Sequence, residues 1–315
     1  MSNHFGYIPQ DRRTQAVQTA WEQVFATLPR RVFGNAARNL AGSGAGKVAL
    51  LWKCVEQLSQ NPLMPWDQNP AGTCVSFGYA MAVTVLKAVE IVLGSEHERW
   101  VAPVATEPIY ALSRVEVGNG QAGRGDGSLG AWAAKAVRTY GVLMQQQYGQ
   151  HDLSQYDYRR ARAWGAPGAG LPDDLEPLAA EHLVETTSLV TTWEQTRDAL
   201  ANGYPVPVCS TQGFEPAGGK RRDAQGFAKP NGRWDHCMCF IAVDDDSKRP
   251  GALCINSWGA SWISGPRRHA QPEGSFWVDA EVVERMVRQG DTFALSRFQG
   301  FPNRNFDFTA EYPNI

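Results

Sequence analysis

The chain has 315 residues, of which 43% are hydrophobic and 20% charged, and its formal net charge is −2. This composition is ordinary for a folded protein of one large or two medium domains. The near balance of acidic and basic residues argues against a broad basic surface, so we expect no nucleic-acid partner.

The N-terminus and the cysteines indicate the compartment. The first residues lack the apolar region of a secretory signal, and we expect none. Six irregularly spaced cysteines are not the pattern of a disulfide framework, which favours a reducing environment. The longest apolar stretch, 80–93, contains Lys87 and Glu90 and is too short to span a bilayer, so we expect no membrane partner. These features predict a cytoplasmic protein, or one associated with a larger assembly such as a virion.

The first half of the chain has helical patterns. Apolar residues at helical spacing predict helices over 16–28 and 48–58, with a glycine-rich joint at 42–46. The segment from Cys74 to Leu93 is apolar almost all round and predicts a long buried helix. Further helices are predicted over 108–117, 129–140 and 192–201.

The second half has short apolar segments separated by turn residues. They predict strands of a mostly antiparallel sheet over 204–210, 237–243, 252–256, 275–278 and 292–298, with one helix over 280–288. Two Gly/Pro-rich, basic segments, 212–233 and 264–274, are predicted to be loops. Helices followed by strands predict an α+β protein of two lobes, with a site in the cleft between them.

Two motifs suggest a nucleotide or a metal, and neither is complete. The segment 42–48 is glycine-rich like a phosphate-binding loop, but position 41 is Ala and Lys47 is followed by Val48. His236, Cys237 and Cys239 are soft metal ligands, but structural zinc takes four ligands in paired motifs. On a strand, Cys237 and Cys239 would also face away from His236. We therefore expect no metal and no cofactor.

Cys74 stands after a Pro-Ala-Gly break, at the start of the long predicted helix. A buried structural thiol is the plain interpretation, because free cysteine is among the most buried residue types. A helix N-terminus also favours a thiolate. Nucleophilic catalysis would further need a base, a group that orients the base, and a donor for the oxyanion.

Several segments of the chain carry groups of this kind. Gln68 stands six residues before Cys74, and three segments follow in order: Trp234-Asp235-His236-Cys237, Asn256-Ser257-Trp258-Gly259 and Gly274-Ser275-Phe276-Trp277-Val278. Taken together, they resemble the papain-like cysteine peptidases. Gln68 and Cys74 have the spacing of that family's nucleophile segment, and the three later segments resemble, in order, the segment of its catalytic histidine, its NSWG block and the start of its next strand. Two further segments resemble parts of the family's sequence. Asp126-Gly127-Ser128 resembles its loop at the substrate cleft, and 199–206 resembles its entry to the sheet lobe. The start, Gly6-Tyr7-Ile8-Pro9, resembles members without a secretory signal, and the resemblance spans most of 62–300.

The resemblance implies a peptidase that works through a thioester acyl-enzyme. Cys74 would be the nucleophile, His236 the general base and acid, and Asn256 the group that holds the imidazole. Gln68 would share the oxyanion hole with the backbone N–H of Cys74. The implied substrate-binding residues are Gly127, Ser128, Asp235, Cys237 and Trp258, with a peptide or protein as substrate; Trp258 would also shield the His236–Asn256 bond from water.

Two other functions stay open. A papain-like scaffold without activity would act as a structural or binding component of a larger assembly, and an amidase or acyl transferase would use the same triad. The chain also departs from the family pattern, with Val75 where Trp is usual, Ala71 in place of a disulfide cysteine, and Ser128 in place of a second glycine. These departures concern substrate choice.

The resemblance predicts an organisation in three parts. Residues 1–61 would be an extension with added helices, 62–190 a helical lobe with the nucleophile, and 191–315 a barrel-like β lobe with the histidine and asparagine. Too few residues precede Cys74 for an inhibitory proregion, so we expect no conventional zymogen. The N-terminal helices would pack on the body, or else cover the cleft or bind a protein partner. The basic residues of the two loops would be solvated, or rim the cleft and favour acidic substrates or a partner; they are Lys220, Arg221, Arg222, Arg267 and Arg268.

Overall fold

The computed structural model describes residues 5–28, 32–94, 99–215 and 221–304. Its helices, in chain order, are α1 Gln15–Thr27, α2 Phe33–Ala36, α3 Trp52–Ser59, α4 Cys74–Val92, α5 Thr106–Leu112, α6 Gly130–Thr139, α7 Tyr158–Trp164, α8 Glu176–Ala180, α9 Trp193–Ala201 and α10 Ala280–Val287. A π-helical turn, Ser113–Val117, continues α5. The strands are β1 Val48–Leu50, β2 Gln147–Tyr148, β3 His151–Asp152, β4 Thr186–Leu189, β5 Val206–Phe214, β6 Pro230–Asp244, β7 Gly251–Ile255, β8 Ser275–Asp279 and β9 Phe293–Ser296.

An antiparallel sheet of five strands forms the second lobe. Its order is β1-β6-β7-β8, with β5 paired to the first part of the long strand β6. The sequence resemblance suggested a barrel-like lobe, and this is wrong for the described residues, because the sheet is open. The outer edge of β8 pairs instead with the segment 226–228, through hydrogen bonds between Trp277 and the backbones of Gly226 and Ala228.

Helix α4 is the centre of the first lobe and packs on β6 of the second. The contact is close at Gly78, where a Cβ atom would lie 2.7 Å from Cys237 Sγ and 3.0 Å from the carbonyl oxygen of Met238. Because Gly78 has no side chain, the first turn of α4 lies directly against the strand that carries His236.

Length and apolarity alone would allow α4 to cross a membrane, but 89% of its most apolar window is buried inside the protein. The helix is longer than the apolar stretch 80–93 on which the sequence argument relied. Its burial against β6 and other helices, rather than its length, identifies it as a core helix.

Most predicted elements are present, with two informative differences. The predicted helix 48–58 is a strand, β1, followed by α3, because Val48–Leu50 completes the edge of the sheet beside β6. The predicted loop 212–233 contains the end of β5 and the start of β6, which pair with shifts in register. Such irregular pairing breaks the alternation from which a strand is recognised.

Candidate active site

Cys74 is the first residue of α4, and its thiol lies against β6. The backbone N–H of Cys237 points at Cys74 Sγ, with an N···S distance of 3.4 Å. The backbone N–H groups of Gly6 and Val75 also interact with the sulfur. The helix start therefore places the thiol among several N–H donors, beside the residue that follows His236.

His236 and Asn256 lie on neighbouring strands and are joined by a hydrogen bond. The distance between His236 Nε2 and Asn256 Oδ1 is 2.7 Å, and the same oxygen accepts the backbone N–H of Ser257 at 2.7 Å. Since an amide oxygen only accepts, Nε2 carries the proton, and the neutral ring keeps its lone pair on Nδ1. Within the described ranges, Nδ1 is buried and has no hydrogen-bond partner.

Aromatic rings cover this histidine. Trp258 stacks on the imidazole with a centroid distance of 4.7 Å, and it packs in turn against Trp234 and Trp262. The edge of Phe5 approaches the imidazole from another side, at 6.0 Å. The His236–Asn256 pair is therefore shielded from water, as expected of Trp258, but Phe5 was not foreseen as part of the cover.

Gln68 is fixed by the segment that follows Asn256. Its Oε1 accepts the hydroxyl of Ser257 at 2.6 Å, and its backbone N–H donates to the carbonyl oxygen of Ser257 at 2.9 Å. Its Nε2 donates to the carbonyl oxygen of Ala71 at 2.9 Å, within the loop that leads to Cys74. Ser257 thus orients the carboxamide next to the helix start, a role that no sequence motif indicated.

A segment before α1 lies in the cleft. Residues 5–8, here called the strap, form a short parallel bridge with the loop that contains Ser128. The N–H of Ser128 donates to the carbonyl oxygen of Gly6 at 2.8 Å, and the N–H of Ile8 donates to the carbonyl oxygen of Ser128 at 3.1 Å. The N–H of Tyr7 donates to the carbonyl oxygen of Asp235 at 3.1 Å.

Ser128 and Asp235, two of the residues expected to bind a substrate, are therefore occupied by the strap. Gly127, in a left-handed conformation at φ 117°, lets the strap approach, since a Cβ atom there would lie 2.9 Å from the carbonyl oxygen of Gly6. Cys237, another of these residues, contacts Cys74 through its backbone N–H. Salt bridges join the residues after the strap to the cleft, from Arg12 to Asp235 at 2.7 Å and from Asp11 to Arg233 at 2.8 Å.

The covered site holds its ionisable groups in their neutral forms. Cys74 is 0% exposed, and burial raises the pKa of its thiol to about 12. His236 is 1% exposed, and burial lowers its pKa to about 4, against the opposing effect of the Asn256 hydrogen bond. Desolvation penalises the charged form of each group, so thiol and imidazole are both uncharged while the cleft is closed.

Of the N-terminal helices, α1 packs on α6 and α3 packs on α4. Ile8 of the strap packs in the same apolar cluster as Val17 and Trp21 of α1. The segment that lies in the cleft is the extended one before α1, which has no hydrophobic periodicity and was not predicted as a structural element. A role of the helices in covering the cleft stays a prediction. The three domain boundaries and a partner for these helices stay predictions.

The basic residues of the two loops form hydrogen bonds and ion pairs mainly within the β lobe. Arg222 is buried and donates to the carbonyl oxygens of Pro266, Ser275 and Gly265. Arg268 pairs with Asp244, and Arg267 lies 3.8 Å from Glu273. Lys220 lies outside the described residues, and a role of Arg221 towards an acidic partner stays a prediction.

The described part of the chain offers no cluster of three His, Cys, Asp or Glu side chains that would hold a metal ion. Cys209, Cys237 and Cys239 are buried in the sheet, and the six cysteines are free thiols.

Comparisons with known proteins identify the fold. No protein-family model matches the chain, and no curated protein matches it significantly. Among solved structures, xylellain, a cysteine protease from Xylella fastidiosa, is 18% identical, with a TM-score of 0.52 over 94% of this chain and 93% of its own. Procathepsin B S9 from Trypanosoma congolense is 10% identical, with a TM-score of 0.54 over 91% and 89% of the two chains. The chain therefore has the papain-like fold of the cysteine proteases, in a divergent form.

Proposed function

We propose that the chain is a cysteine peptidase that hydrolyses peptide bonds once the strap has left the cleft. The observation that carries the proposal is the hydrogen bond from His236 to Asn256, which leaves Nδ1 of the ring as a free base. This base belongs to the residue next to Cys237, whose N–H contacts the sulfur of Cys74. The fold supports the proposal, and the identity to each known protease is low.

In the proposed reaction, Nδ1 of His236 accepts the thiol proton of Cys74, and the thiolate attacks the carbonyl carbon of a peptide bond. The resulting oxyanion is stabilised by the N–H of Cys74 and the amide of Gln68. The imidazolium then protonates the leaving amine, which breaks the C–N bond and leaves a thioester. His236 next deprotonates a water molecule, which attacks the thioester, releases a carboxylic acid and restores the thiol.

Asn256 keeps the imidazole in the tautomer that this sequence requires. Its Oδ1 accepts the N–H of Ser257, which fixes the amide so that the oxygen faces His236 Nε2. A ring held in this way presents its lone pair at Nδ1 in the first step and its proton at the same atom in the second.

The test needs a full-length chain in which the strap is displaced, and Gly6→Ala provides it. A Cβ atom on residue 6 would lie 1.9 Å from the carbonyl oxygen of Gly72. This variant is incubated with denatured proteins, and new amino termini are identified by mass spectrometry. We expect cleavage that disappears when Cys74→Ala is added, and an epoxide inhibitor that modifies Cys74 alone, but not in the His236→Ala variant.

Three results would overturn the proposal. Equal modification of all six cysteines, with no new termini, would favour a scaffold without activity. Products in which an amine has replaced the leaving group, without hydrolysis, would favour an acyl transferase on the same residues, and release of ammonia alone would favour an amidase.

A further inference from the structure

Asp126 joins two loops of the cleft. Its Oδ2 accepts the backbone N–H of Gly72 at 2.9 Å. Gly72 belongs to residues 69–73, here called the nucleophile loop, which connect Gln68 to Cys74. A Cβ atom on Gly72 would lie 3.0 Å from the Cβ atom of Asp126. The two loops are therefore in close contact at this hydrogen bond.

Arg162, on α7, binds the same carboxylate. Its Nε donates to Asp126 Oδ1 at 3.0 Å and its Nη2 donates to Asp126 Oδ2 at 2.6 Å, which is the two-point geometry of a strong arginine–carboxylate pair. The same Nη2 donates to the carbonyl oxygen of Pro70, in the nucleophile loop, at 3.3 Å. Because the side chain of Arg162 is 45% exposed, the ion pair alone contributes little energy. Its effect is geometric, since one guanidinium holds both the carboxylate and the loop.

The carboxylate of Asp126 is ionised at neutral pH. Burial acts to raise its pKa, but the hydrogen bonds from Arg162 and Gly72 and the positive charge of Arg114 outweigh that effect and hold the pKa below its usual value. The N–H of Gly72 therefore donates to a charged acceptor. Such hydrogen bonds are about twice as strong as those between neutral groups.

The loop that contains Ser128 is held by other groups, so Asp126 extends from a fixed base. Buried Arg114 donates to three carbonyl oxygens of this loop, those of Gly123, Gly125 and Gly127. The hydroxyl of Tyr110 accepts the N–H of Gly127 at 3.1 Å. Removal of the Asp126 carboxylate should therefore release the nucleophile loop and leave the backbone of Ser128 in place.

The nucleophile loop determines where both proposed oxyanion donors lie. Gln68 Nε2 donates to the carbonyl oxygen of Ala71 at 2.9 Å, and the N–H of Ala71 donates to the carbonyl oxygen of Gln68 at 3.1 Å. The backbone N–H of Cys74 comes at the end of the loop. In the closed form the strap also touches the loop at Gly72, and this contact is lost when the strap leaves. The hydrogen bond from Gly72 to the carboxylate does not involve the strap and remains.

We propose that Asp126 and Arg162, here called the clamp, are positioning residues that hold the nucleophile loop in the geometry of the oxyanion hole. The inference rests on the function proposed above and adds residues that act through Gln68 and Cys74. Ala71 stands where a disulfide cysteine is usual in the family, and the clamp holds the same loop without a covalent bond. A misplacement of about 1 Å at a reacting centre can cost about 10²-fold in rate, so a loose loop is sufficient to impair catalysis.

Both tests use full-length Tyr7→Ala as the parent chain. Tyr7 is 5% exposed, and its truncation removes the buried anchor of the strap without placing a new atom beside Gly72. Variants of the clamp are added to this parent, so each comparison is made with the strap in the same state.

The first test needs no turnover and measures hydrogen exchange of glycine N–H groups by NMR after isotope labelling of glycine. The N–H of Gly72 should exchange about 10 to 100 times faster when Asp126→Ala is added, the range of a hydrogen bond to a charged group. Gly130 is the internal reference, because its N–H donates to another carboxylate, that of Asp291, at 2.9 Å. Its exchange should not change.

The second test measures steady-state kinetics with a peptide substrate. Asp126→Ala should lower kcat about 10- to 100-fold and change KM about twofold or less, because the loop moves and the backbone of Ser128 does not. A residue that only stabilised the fold would not produce this split between kcat and KM. Asp126→Asn keeps an oxygen that accepts the N–H of Gly72 and should recover part of the lost kcat.

Arg162 is tested against Arg159, an arginine of the same helix. Arg162→Met should lower kcat about two- to fivefold, the range of a partly exposed ion pair. Arg159→Met removes a guanidinium that donates to the hydroxyl of Tyr158 at 3.3 Å, and it should leave kcat unchanged.

Failure of the clamp and failure of the peptidase give different results. Unchanged kcat in Asp126→Ala would overturn the clamp and leave the peptidase standing. A change in KM without a change in kcat would also overturn it, because Asp126 would then act on substrate binding. Faster exchange of Gly72, with no cleavage by the Tyr7→Ala or the Gly6→Ala chain, would support the hold of Asp126 on the loop and overturn the peptidase.

Discussion

Gly6 is the point of closest contact between the strap and the loop that leads to Cys74. A Cβ atom on residue 6 would lie 1.9 Å from the oxygen and 2.3 Å from the carbonyl carbon of Gly72, and real Cβ atoms essentially never come within 3.0 Å of another heavy atom. Both atoms belong to the backbone, so no side chain can turn away to make room. Gly6 does not have a left-handed backbone, and the contact with Gly72 is therefore the obstacle to Gly6→Ala.

The size of the effect follows from how the strap is held. Three backbone hydrogen bonds join Gly6, Tyr7 and Ile8 to Ser128 and Asp235, and each contributes about 1 kcal/mol net. Overpacking costs about 1–3 kcal/mol. A shift of the strap that relieved the contact would also lengthen these bonds. At about 1.4 kcal/mol for each factor of ten, Gly6→Ala should make the open form about 10 to 100 times more populated.

The assay is the rate at which iodoacetamide modifies Cys74 in the folded protein, followed by peptide mapping. While the closed form dominates, this rate is proportional to the open population, so it should rise about 10- to 100-fold in Gly6→Ala. Gly125→Ala is the matched control, because a Cβ atom there has no neighbour within 4 Å and the backbone is not left-handed. The buried thiols Cys239 and Cys254 are internal references for the folded body.

Equal rates for Cys74 in wild type and Gly6→Ala would refute the reasoning that the strap buries the thiol. A rise that is the same for Cys239 and Cys254 would also refute it, because it would report unfolding of the lobe rather than release of the strap.

Three further outcomes are expected. In the Gly6→Ala background, Gln68→Ala should lower kcat about 10²–10³-fold with little change in KM; a loss below tenfold in steady-state kinetics would argue against an oxyanion role. Burial lowers the pKa of His236 to about 4 from 6.5, so between these values the unfolded chain binds a proton that the folded chain does not, and the free energy of unfolding should fall on acidification from pH 6.5 to pH 4. In urea titrations this fall should be up to about 3 kcal/mol larger for wild type than for His236→Gln. The same change in the free energy of unfolding with pH in both proteins would contradict it. Arg304→Leu should cost about 3–5 kcal/mol of stability, because Glu90 is 0% exposed and pairs with Arg304 at 2.7 Å; adding Glu90→Gln should recover part of the loss.

The main elements could be predicted because their physical signals are local. Helix α4 begins at Cys74, as its apolar composition and the preceding Pro-Ala-Gly break indicated. The α+β organisation was confirmed, and so was the papain-like fold. The contact between His236 and Asn256 is the one that the resemblance implied. A catalytic role for these residues stays a prediction.

The strap could not be predicted, because its signal is not in the pattern of its side chains. Residues 5–8 are held largely by backbone hydrogen bonds to Ser128 and Asp235. Such bonds do not depend on the identity of the side chains. The features that fit it to the cleft are the missing side chain of Gly6 and the burial of Tyr7, and both depend on residues far away along the chain. The short strand β4, which pairs with β9, was missed for a similar reason, since its four residues, Thr186–Leu189, are mostly hydroxyl-bearing.

The backbone bonds of the strap also determine what a substrate would have to displace. The N–H of Gly6 contacts Cys74 Sγ, and the carbonyl oxygen of Gly6 accepts the N–H of Ser128 at 2.8 Å. The carbonyl oxygen of Ser128 accepts the N–H of Ile8 at 3.1 Å. Both backbone groups of Ser128 are therefore bound while the strap is in place. A peptide substrate of the proposed enzyme would need the same two groups and access to the same sulfur, which requires the strap to leave first.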